Sequence, residues 1–370
     1  ATAHALPALA QTGPAETRPP NAPNQQAQSP DQTRAPQPAK LAQIKRQVIA
    51  DDLPQVWSLE FLPGGRMLVT LKEGAMRIVD SEGQPGPDIA SVPKVAARGQ
   101  GGLLDVALAP DFETSSRIFF SFSEPRDGGN GTSVASARLV TNDEGGSLED
   151  VTVIFRQTPT YDGDKHFGSR LVFLPDKTLI VTLGDRNTRN FIADPKSHVG
   201  KLVRINRDGS IPPGNPSFGL AGARAEIWSY GHRNPQGAAM KPGTDDLWLT
   251  EHGPRGGDEL NRVLSGRNYG WPLRSYGCPY SFSNNVPTCW VNGGTHAPAY
   301  EEPKTTWLPN STAPAGLLFY TGTRFDDLGW QGNAFTGGLV GVTLWRIVLS
   351  GDNFVSKEEV AAVKSLGQRI

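Results

Sequence analysis

From residue 44 onward, short apolar runs recur along the chain, and polar turns built on Pro-Asp, Pro-Gly or Gly separate them. A run of four to eight apolar residues bounded by such turns predicts a buried β-strand. Strand, turn and second strand form a unit that occurs in SLEFLPGGRMLVTL, DVALAPDFETSSRIFFSF and RLVFLPDKTLIVTLGD, and more loosely in QGAAMKPGTDDLWLTEHG and AGLLFYTGTRF…NAFTGGLVGVTLWRIVL. About five such units, with almost no helical periodicity between them, predict an all-β chain arranged as a β-propeller rather than a sandwich.

The composition divides the chain into three parts. Residues 1–10 (ATAHALPALA) end in small residues, as a secretory signal does before its cleavage site, although an arbitrary alanine-rich terminus is the alternative. We expect the tail of a signal peptide here, and therefore a periplasmic or secreted bacterial protein. Residues 11–43 are rich in proline and glutamine and contain no aromatic residue, so we expect a disordered linker. Residues 44–370 form the predicted propeller domain.

The charge balance narrows the class of partner. Thirty-six basic and 37 acidic residues give a formal net charge of −1, so no large basic field predicts binding to nucleic acid or to an anionic membrane. No run approaches the roughly 20 apolar residues that a membrane helix needs. A small-molecule substrate is therefore more consistent with this chain than nucleic acid or a membrane. Cys278 and Cys289 lie in one loop and fit no common zinc pattern, so in an exported protein a disulfide between them is the default expectation.

The polar residues with the clearest functional character lie between Glu226 and Trp271. Two glycine-dense turns, GHRNPQG and EHGPRGGDE, flank the short apolar run DLWLT, which predicts a strand with one turn at each end. Glycine and proline are enough to make such turns, yet these also carry arginine, asparagine and adjacent carboxylates. Because binding groups commonly sit on loops held by a rigid sheet, we interpret the turns as a functional site, with well-formed turns as the plainer alternative.

This central stretch, continued by NYGWP, resembles the soluble quinoprotein aldose sugar dehydrogenases of the glucose/sorbosone dehydrogenase family, which use pyrroloquinoline quinone. The resemblance extends over roughly residues 45–370 and includes Gly99–Phe112, His166–Arg186 and Gly200–Pro216. It implies a six-bladed β-propeller whose last blade is truncated, because family members continue into further strands beyond residue 370. It also implies oxidation of the C1 hydroxyl of aldose sugars to the lactone, with electrons passing to the quinone and then to an external acceptor.

A histidine and an aspartate are the candidate catalytic residues. His166 precedes the predicted strand Leu171–Leu174, and Asp185 closes the next strand, so a hairpin would bring the two side chains together. A neutral imidazole can act as a general base, and a carboxylate can fix its tautomer. A lone histidine in a loop is more often an ordinary surface residue. The resemblance implies that His166 is the base and Asp185 its partner, although Lys165 stands where glucose-oxidising relatives carry an acidic residue.

The resemblance also implies a set of cofactor-binding residues. Arg233 and Asn234 are planar donors suited to an anionic, carbonyl-rich quinone, and they match the pair that the family uses for it. The further matched quinone-binding positions are Gln100, Ser311 and Arg369. For the arginine of the central turn, a structural contact at a strand end is the plainer alternative. No glycine-rich nucleotide loop of the usual spacing follows a strand, so neither nicotinamide nor flavin is expected.

Two calcium sites follow from the resemblance. The backbone carbonyls of Gly253 and Pro254 match those that hold a catalytic Ca²⁺ against the quinone, and calcium prefers oxygen ligands. Asp258, Glu259 and Tyr269 match a second, structural calcium site. Adjacent carboxylates without a close basic neighbour in sequence would repel each other, which favours a cation beside them. The plainer alternative for this acidic pair is a solvated turn.

Two other functions stay open at this stage. A propeller can be a non-catalytic binding module for glycan or protein partners, because fold alone does not decide function. The joint presence of His166, Asp185 and Arg233 argues against such a module, which has no need for all three. A calcium-dependent lactonase-type propeller would hold its cation mainly with Asp, Asn and Glu side chains, which the glycine–proline carbonyl motif does not supply. The sequence specifies neither the preferred aldose nor the oligomeric state.

Overall fold

A computed structural model describes residues 47–142, 145–219, 221–280, 291–340 and 343–362, together with the isolated positions 19, 20, 32 and 34. The main helical elements in these ranges are short, namely α1 (Phe112–Ser115) and 3-10 turns at Pro63–Gly65 and Asp326–Leu328. The all-β prediction is therefore confirmed. In the part of the chain that is described, no helix is long and apolar enough to cross a membrane. The expected signal tail, most of the linker, Cys289 and Arg369 lie outside the described residues.

The nineteen strands of the described residues form five antiparallel sheets, and strands that follow each other in the chain lie side by side. The first sheet has three strands, β1 (Val56–Phe61), β2 (Met67–Leu71) and β3 (Ala75–Val79). The second sheet consists of β4 (Leu103–Leu108), β5 (Arg117–Arg126), β6 (Gly129–Asn142) and β7 (Gly145–Arg156). The third consists of β8 (Leu171–Phe173), β9 (Leu179–Thr182), β10 (Lys201–Ile205) and β11 (Ile227–Tyr230).

The last two sheets complete the series. The fourth sheet consists of β12 (Pro235–Met240), β13 (Leu247–Glu251), β14 (Asp258–Val263) and β15 (Thr305–Trp307). The fifth consists of β16 (Pro314–Phe319), β17 (Ala334–Gly338), β18 (Thr343–Ser350) and β19 (Asn353–Ala362). The predicted strand in DLWLT is β13, which joins the two polar turns of the central stretch as expected.

The five sheets are the blades of a propeller. Strands β1, β4, β8, β12 and β16 neighbour one another in that order, so the first strand of each sheet lies on the inside and the later strands lie farther out. Each of the five sequence repeats corresponds to the inner strands of one sheet. The prediction of a propeller with about five units is therefore confirmed.

The sixth blade that the resemblance implied is not confirmed. The described residues form five blades, because the five sheets use all nineteen of their strands. The expectation of a truncated last blade is not confirmed either. The fifth sheet has four strands, and β18 pairs with β19 along its whole length, whereas it is the first sheet that has three.

The hydrophobic core lies between neighbouring blades. Four apolar clusters each join two consecutive sheets, so most strands are covered on both faces. In β5, Phe119 packs toward the third sheet and Phe120 packs toward the first. Successive side chains of a strand point to opposite faces, so a strand buried on both sides needs apolar residues without interruption. This is why the strands of this chain read as continuous apolar runs.

Close backbone contacts fix the loop that leads into β8. Gly168 has a φ angle of 66°, and a Cβ atom there would lie 2.7 Å from the carbonyl oxygen of Thr182 and 2.8 Å from the nitrogen of Gly184. The Gly168 amide donates to Asn234 Oδ1 at 3.2 Å, which ties this loop to the start of the fourth sheet. A residue without a Cβ atom is therefore required at this position both by the angle and by the space.

Replacing Gly168 by alanine should destabilise the chain more than the same change at Gly243. Both glycines have a positive φ angle, 66° and 74°, but a Cβ atom at Gly243 meets nothing within 4 Å. The left-handed conformation costs a non-glycine residue about 1–2 kcal/mol, and the added backbone clash at Gly168 costs on the order of 1–3 kcal/mol. Urea denaturation of both variants measures the two free energies of unfolding, and equal losses would contradict this account.

Candidate active site

His166 and Asp185 form a buried pair at the inner end of the third sheet. His166 lies in the loop before β8, with a φ angle of 52°, and Asp185 follows three residues after the end of β9. The Nδ1 atom of His166 is 2.6 Å from Asp185 Oδ1, and the side chains are 9% and 3% exposed. The hairpin therefore brings the two side chains together as the sequence predicted. Their catalytic roles stay a prediction.

The carboxylate of Asp185 is held by more than the histidine. Its Oδ1 atom also accepts the backbone amide of Asn187 at 2.7 Å, and its Oδ2 atom accepts the indole Nε1–H of Trp271 at 2.8 Å. Its backbone amide donates to the carbonyl of Arg233 at 2.7 Å. Asp185 thus links the candidate base to the turn that carries the candidate cofactor-binding arginine.

Burial lowers the pKa of the His166 imidazole below its usual value, and the charges of Arg233 and Lys165 lower it further. The hydrogen bond to Asp185 opposes this shift because it stabilises the protonated ring. A carboxylate only accepts hydrogen bonds, so Nδ1 carries the proton of the neutral ring and Nε2 carries the lone pair. The arrangement can therefore accept a proton at His166 Nε2 near neutral pH.

Arg233 lies beside this pair, at the turn that leads into β12. Its Nη1 atom donates to the carbonyl of His252 at 2.9 Å and to that of Gly253 at 3.2 Å, and its backbone amide donates to Glu251 Oε2 at 2.8 Å. Its Nε atom is buried and makes no hydrogen bond within the residues that the structure describes. The guanidinium is 5.3 Å from the ring centre of Trp271. A buried donor without an acceptor is a position that a polar ligand can satisfy.

Gln100 and Asn234 both accept hydrogen bonds from the loop before β8, which contains His166 and Gly168. The Oε1 atom of Gln100 accepts the backbone amide of His166 at 2.8 Å. The Oδ1 atom of Asn234 accepts the amide of Gly168 and the side-chain Nε2–H of Gln236, both at 3.2 Å. Both residues line a cavity whose remaining walls are Trp57, Leu104, Phe167, Gly168, Gln236, His252, Ala315 and Leu339. Two predicted cofactor residues therefore border one cavity near His166.

Asp258 and Ser311 are also brought together. The Asp258 carboxylate, which was expected beside a calcium ion, accepts hydrogen bonds from the protein itself. Asp258 Oδ1 accepts the amide of Gly253 at 2.9 Å, and Oδ2 accepts the Ser311 hydroxyl at 2.8 Å and the amide of Thr312 at 2.7 Å. Complete burial raises the pKa of Asp258 despite these hydrogen bonds. Both oxygens are thus engaged in fixing the Gly253 turn against the segment before β16.

Glu259 lies on the other face of β14, because successive strand residues alternate. It lines a small cavity that also includes Arg233, Glu251, Tyr269 and Ser275. Its Oε2 atom accepts a hydrogen bond from Asn261 at 3.0 Å. Burial and the neighbouring carboxylate of Glu251 raise the pKa of Glu259 well above its usual value. Two buried acids beside one cavity would be stabilised by a cation.

Tyr269 borders this cavity without aiming its hydroxyl group at it. The hydroxyl donates to the carbonyl of Arg262 at 2.7 Å, and the ring stacks on His232 with 4.6 Å between ring centres. The backbone is therefore the part of Tyr269 that remains for a cation. Among the described residues, no group of three or more His, Cys, Asp or Glu side chains is placed to hold a metal ion.

Sequence reasoning missed two residues that the structure places at the centre of the site. Glu251 accepts hydrogen bonds from the backbone of Arg233 and from His232, and Trp271 donates to Asp185. Both residues belong to motifs that the sequence analysis had singled out, EHGPRGGDE and NYGWP. Their partners lie 18 and 86 positions away, so no local pattern identifies them. The buried Cys278 is described, whereas a bridge to Cys289 is outside the described residues.

Comparison with known proteins identifies the family. The family model described as Glucose / Sorbosone dehydrogenase matches residues 53–370. Aldose sugar dehydrogenase YliI from Escherichia coli is 42% identical over 335 residues, which cover 90% of this chain and 87% of that protein.

Two solved structures extend the comparison. The soluble aldose sugar dehydrogenase from Escherichia coli, in its apo-form, aligns with a TM-score of 0.79 and 41% identity over 88% of this chain and 91% of that one. The PQQ-bound form of an aldose sugar dehydrogenase from Streptomyces coelicolor aligns with a TM-score of 0.71 and 28% identity over 90% of this chain and 88% of that one. Since the family model covers most of the chain and the sequence relative is similar along nearly its whole length, this chain belongs to the glucose/sorbosone dehydrogenase family.

Proposed function

We propose that this chain oxidises the C1 hydroxyl of aldose sugars to the lactone, with pyrroloquinoline quinone and Ca²⁺ as cofactors. The observation that carries the proposal is the buried His166–Asp185 pair, whose carboxylate residue is also hydrogen-bonded to the backbone of Arg233. The similarity to an aldose sugar dehydrogenase and to a PQQ-bound relative supports the same assignment. An external acceptor takes the electrons onward, and we place the reaction in the periplasm.

The residues present fit the quinone. Arg233 has a buried Nε atom without an acceptor in the described part of the chain, and Gln100 and Asn234 border one cavity next to His166. A ligand rich in carbonyl and carboxylate oxygens would supply the acceptors that such donors need. Arg233, Asn234 and Gln100 would hold the quinone, and Ser311 and Arg369 are proposed as further contacts.

The residues also fit calcium, with one revision. The carbonyls of Gly253 and Pro254 would hold the catalytic ion, and the Gly253 carbonyl is shared with Arg233. Glu259, Glu251 and the backbone of Tyr269 would hold the structural ion at the cavity between the two acids. We propose that Asp258 supports the Gly253 turn rather than binding calcium directly, because four donors of the protein already occupy its two oxygens.

The chemistry of this chain's own residues centres on one proton. When bound, the quinone accepts the two electrons that leave the sugar, and calcium polarises its carbonyl group. His166 takes the proton of the C1 hydroxyl at Nε2 while the C1 hydrogen leaves with its electron pair, so a C=O bond replaces the O–H and C–H bonds. Asp185 keeps the imidazole in the Nδ1–H tautomer and stabilises the imidazolium that forms. Arg233 holds positive charge beside the place where negative charge develops.

Replacing His166 by alanine should lower kcat for aldose oxidation by about 100- to 10,000-fold, because the general base is lost. Quinone affinity should change little, since Arg233 and Gln100 are retained. His198→Ala is the matched control, because the buried imidazole of His198 also pairs with a carboxylate, that of the half-buried Glu226, with 2.8 Å between Nε2 and Oε1. Dye reduction per folded, quinone-loaded molecule measures both. Wild-type turnover in His166→Ala would rule out the proposed base.

Replacing Lys165 by glutamate should move the acid limb of kcat/KM to higher pH. The positive charge of Lys165 lowers the pKa of His166, and a negative charge there would raise it. His166 must be unprotonated to act, so activity is lost as the pH falls through that pKa, and a higher pKa means loss at higher pH. We expect a shift of about half a pH unit for this exposed position, and a smaller one in high salt.

The control for this shift is Lys177→Glu, which reverses a charge in the turn between β8 and β9, at the far end of that hairpin from Asp185. It should leave the pH profile unchanged. An acid limb that does not move in Lys165→Glu, or that moves equally far in Lys177→Glu, would contradict its assignment to His166.

Replacing Glu259 by glutamine should remove the share of calcium-dependent stability that the structural ion contributes. In the wild-type chain, the two buried carboxylates of Glu259 and Glu251 repel each other unless a cation is bound, so calcium should raise Tm and chelation should lower it. The neutral amide removes this repulsion, so without calcium the variant should be at least as stable as the wild type at neutral pH. Exposed Glu82→Gln is the control. A full calcium-induced rise in Tm for Glu259→Gln would place the ion elsewhere.

A further inference from the structure

The NYGWP segment runs beside the turn that carries Arg233. The amide of Tyr269 donates to the carbonyl of Tyr230 at 2.9 Å, and the amide of Trp271 donates to the carbonyl of Gly231 at 3.0 Å. These backbone bonds place the Trp271 side chain between the Asp185 loop and Arg233. The side chain is 9% exposed and packs against Ile192 and Val199. Its position is therefore fixed by the backbone on one side and by apolar contacts on the other.

The edge of the indole ring is directed at Asp185. Its Nε1–H donates to Asp185 Oδ2 at 2.8 Å, and the other oxygen of the carboxylate faces His166 Nδ1 at 2.6 Å. A carboxylate turns about its Cβ–Cγ bond unless donors hold both oxygens. Without the indole, Oδ2 would be a buried acceptor without this partner, which costs free energy and favours rotation. The indole on Oδ2 and the Asn187 amide on Oδ1 therefore together fix how Asp185 presents its carboxylate to His166.

The face of the same ring is beside Arg233. The guanidinium carbon of Arg233 is 5.3 Å from the ring centre, within the range of a cation–π contact. The exposed Arg189 is at 5.2 Å from the same ring. Within the described residues, the Arg233 side chain donates from Nη1 to the carbonyls of His252 and Gly253, and its buried Nε atom has no acceptor. The aromatic face therefore provides a second constraint on the plane of the guanidinium.

We propose that Trp271 is a positioning residue that aligns the proton-accepting pair with the cofactor-binding arginine. One side chain orients Asp185, and through it His166, by the indole N–H, and orients Arg233 by the ring face. The two functions use different parts of the indole, so substitutions can separate them. This inference deepens the proposed function and rests on it for its catalytic consequence, whereas the orientation of Asp185 is testable in the chain without cofactor.

The test compares Trp271→Phe with Trp271→Leu in the full chain. Phenylalanine keeps an aromatic face for Arg233 but removes the N–H, so kcat should fall about 10- to 100-fold, while KM for the sugar and the affinity for the quinone change less than about twofold. Leucine also removes the aromatic face, so quinone affinity should fall as well. Trp228→Phe is the matched control, because Trp228 has a guanidinium, that of Arg204, 5.2 Å from its ring and lies on β11. It should leave all three parameters unchanged.

Proton NMR of the chain without cofactor supplies a readout that is independent of activity. The Nδ1–H of His166, held in a short hydrogen bond, should give a downfield resonance that Asp185→Asn removes and thereby assigns. Trp271→Phe should shift or broaden that resonance, and Trp228→Phe should not. An unchanged resonance together with unchanged kcat in Trp271→Phe would overturn the proposal.

A second measurement decides the question if Trp271→Phe does not fold. With ¹⁵N-labelled tryptophan, Asp185→Asn should displace one of the eight indole signals far more than the others. If no indole signal moves, Trp271 does not hold Asp185 and the proposal is wrong. If the wild-type chain binds the quinone and oxidises no sugar, the proposed function fails, and the NMR result still decides whether Trp271 orients Asp185.

Discussion

The buried carboxylate of Asp185 is the constraint on which the site depends. An ionised group with only 2% of its surface exposed is stable only if donors surround it, and here they come from three separate loops. The donors are the imidazole of His166, the backbone amide of Asn187 and the indole of Trp271. The hydrogen bonds that the Asp185 carboxylate accepts therefore connect loops from the third and fourth blades. The candidate base His166, its partner Asp185 and the neighbouring guanidinium of Arg233 are therefore held together.

The same principle operates on the other side of Arg233. Glu251, at the end of β13, accepts the backbone amide of Arg233 and a hydrogen bond from His232, and Asp258 fixes the Gly253 turn. Buried carboxylates thus hold the backbone on both sides of the guanidinium. Only Glu259 is left with a strongly raised pKa and an adjacent cavity. That difference is the reason we propose the Glu259 cavity, rather than Asp258, for the structural calcium.

The sequence predicted those parts of the molecule that local patterns control. Apolar runs and their turns identify the five blades, and the hairpin between β8 and β9 explains why Asp185 returns to His166. The pair Asp258–Glu259 shows the limit of sequence patterns. Alternation along β14 sends the two side chains to opposite faces, a separation that their adjacency in the sequence did not indicate. Trp271 and Glu251 could not be assigned because their roles depend on partners in other loops. The sixth blade, taken from resemblance alone, has no counterpart among the described strands.

The central claim is that this site removes a hydride and a proton, that is two electrons and two protons, from C1 and its hydroxyl group in an aldose. The most direct measurement is the absorbance of bound pyrroloquinoline quinone in the calcium-loaded chain, without dye or oxygen, after addition of an aldose. The account predicts that the spectrum of the oxidised quinone is lost in a single turnover for the wild type, and far more slowly for His166→Ala. An oxidised spectrum that stays unchanged across a panel of aldoses, in a folded chain with quinone bound, would contradict the claim.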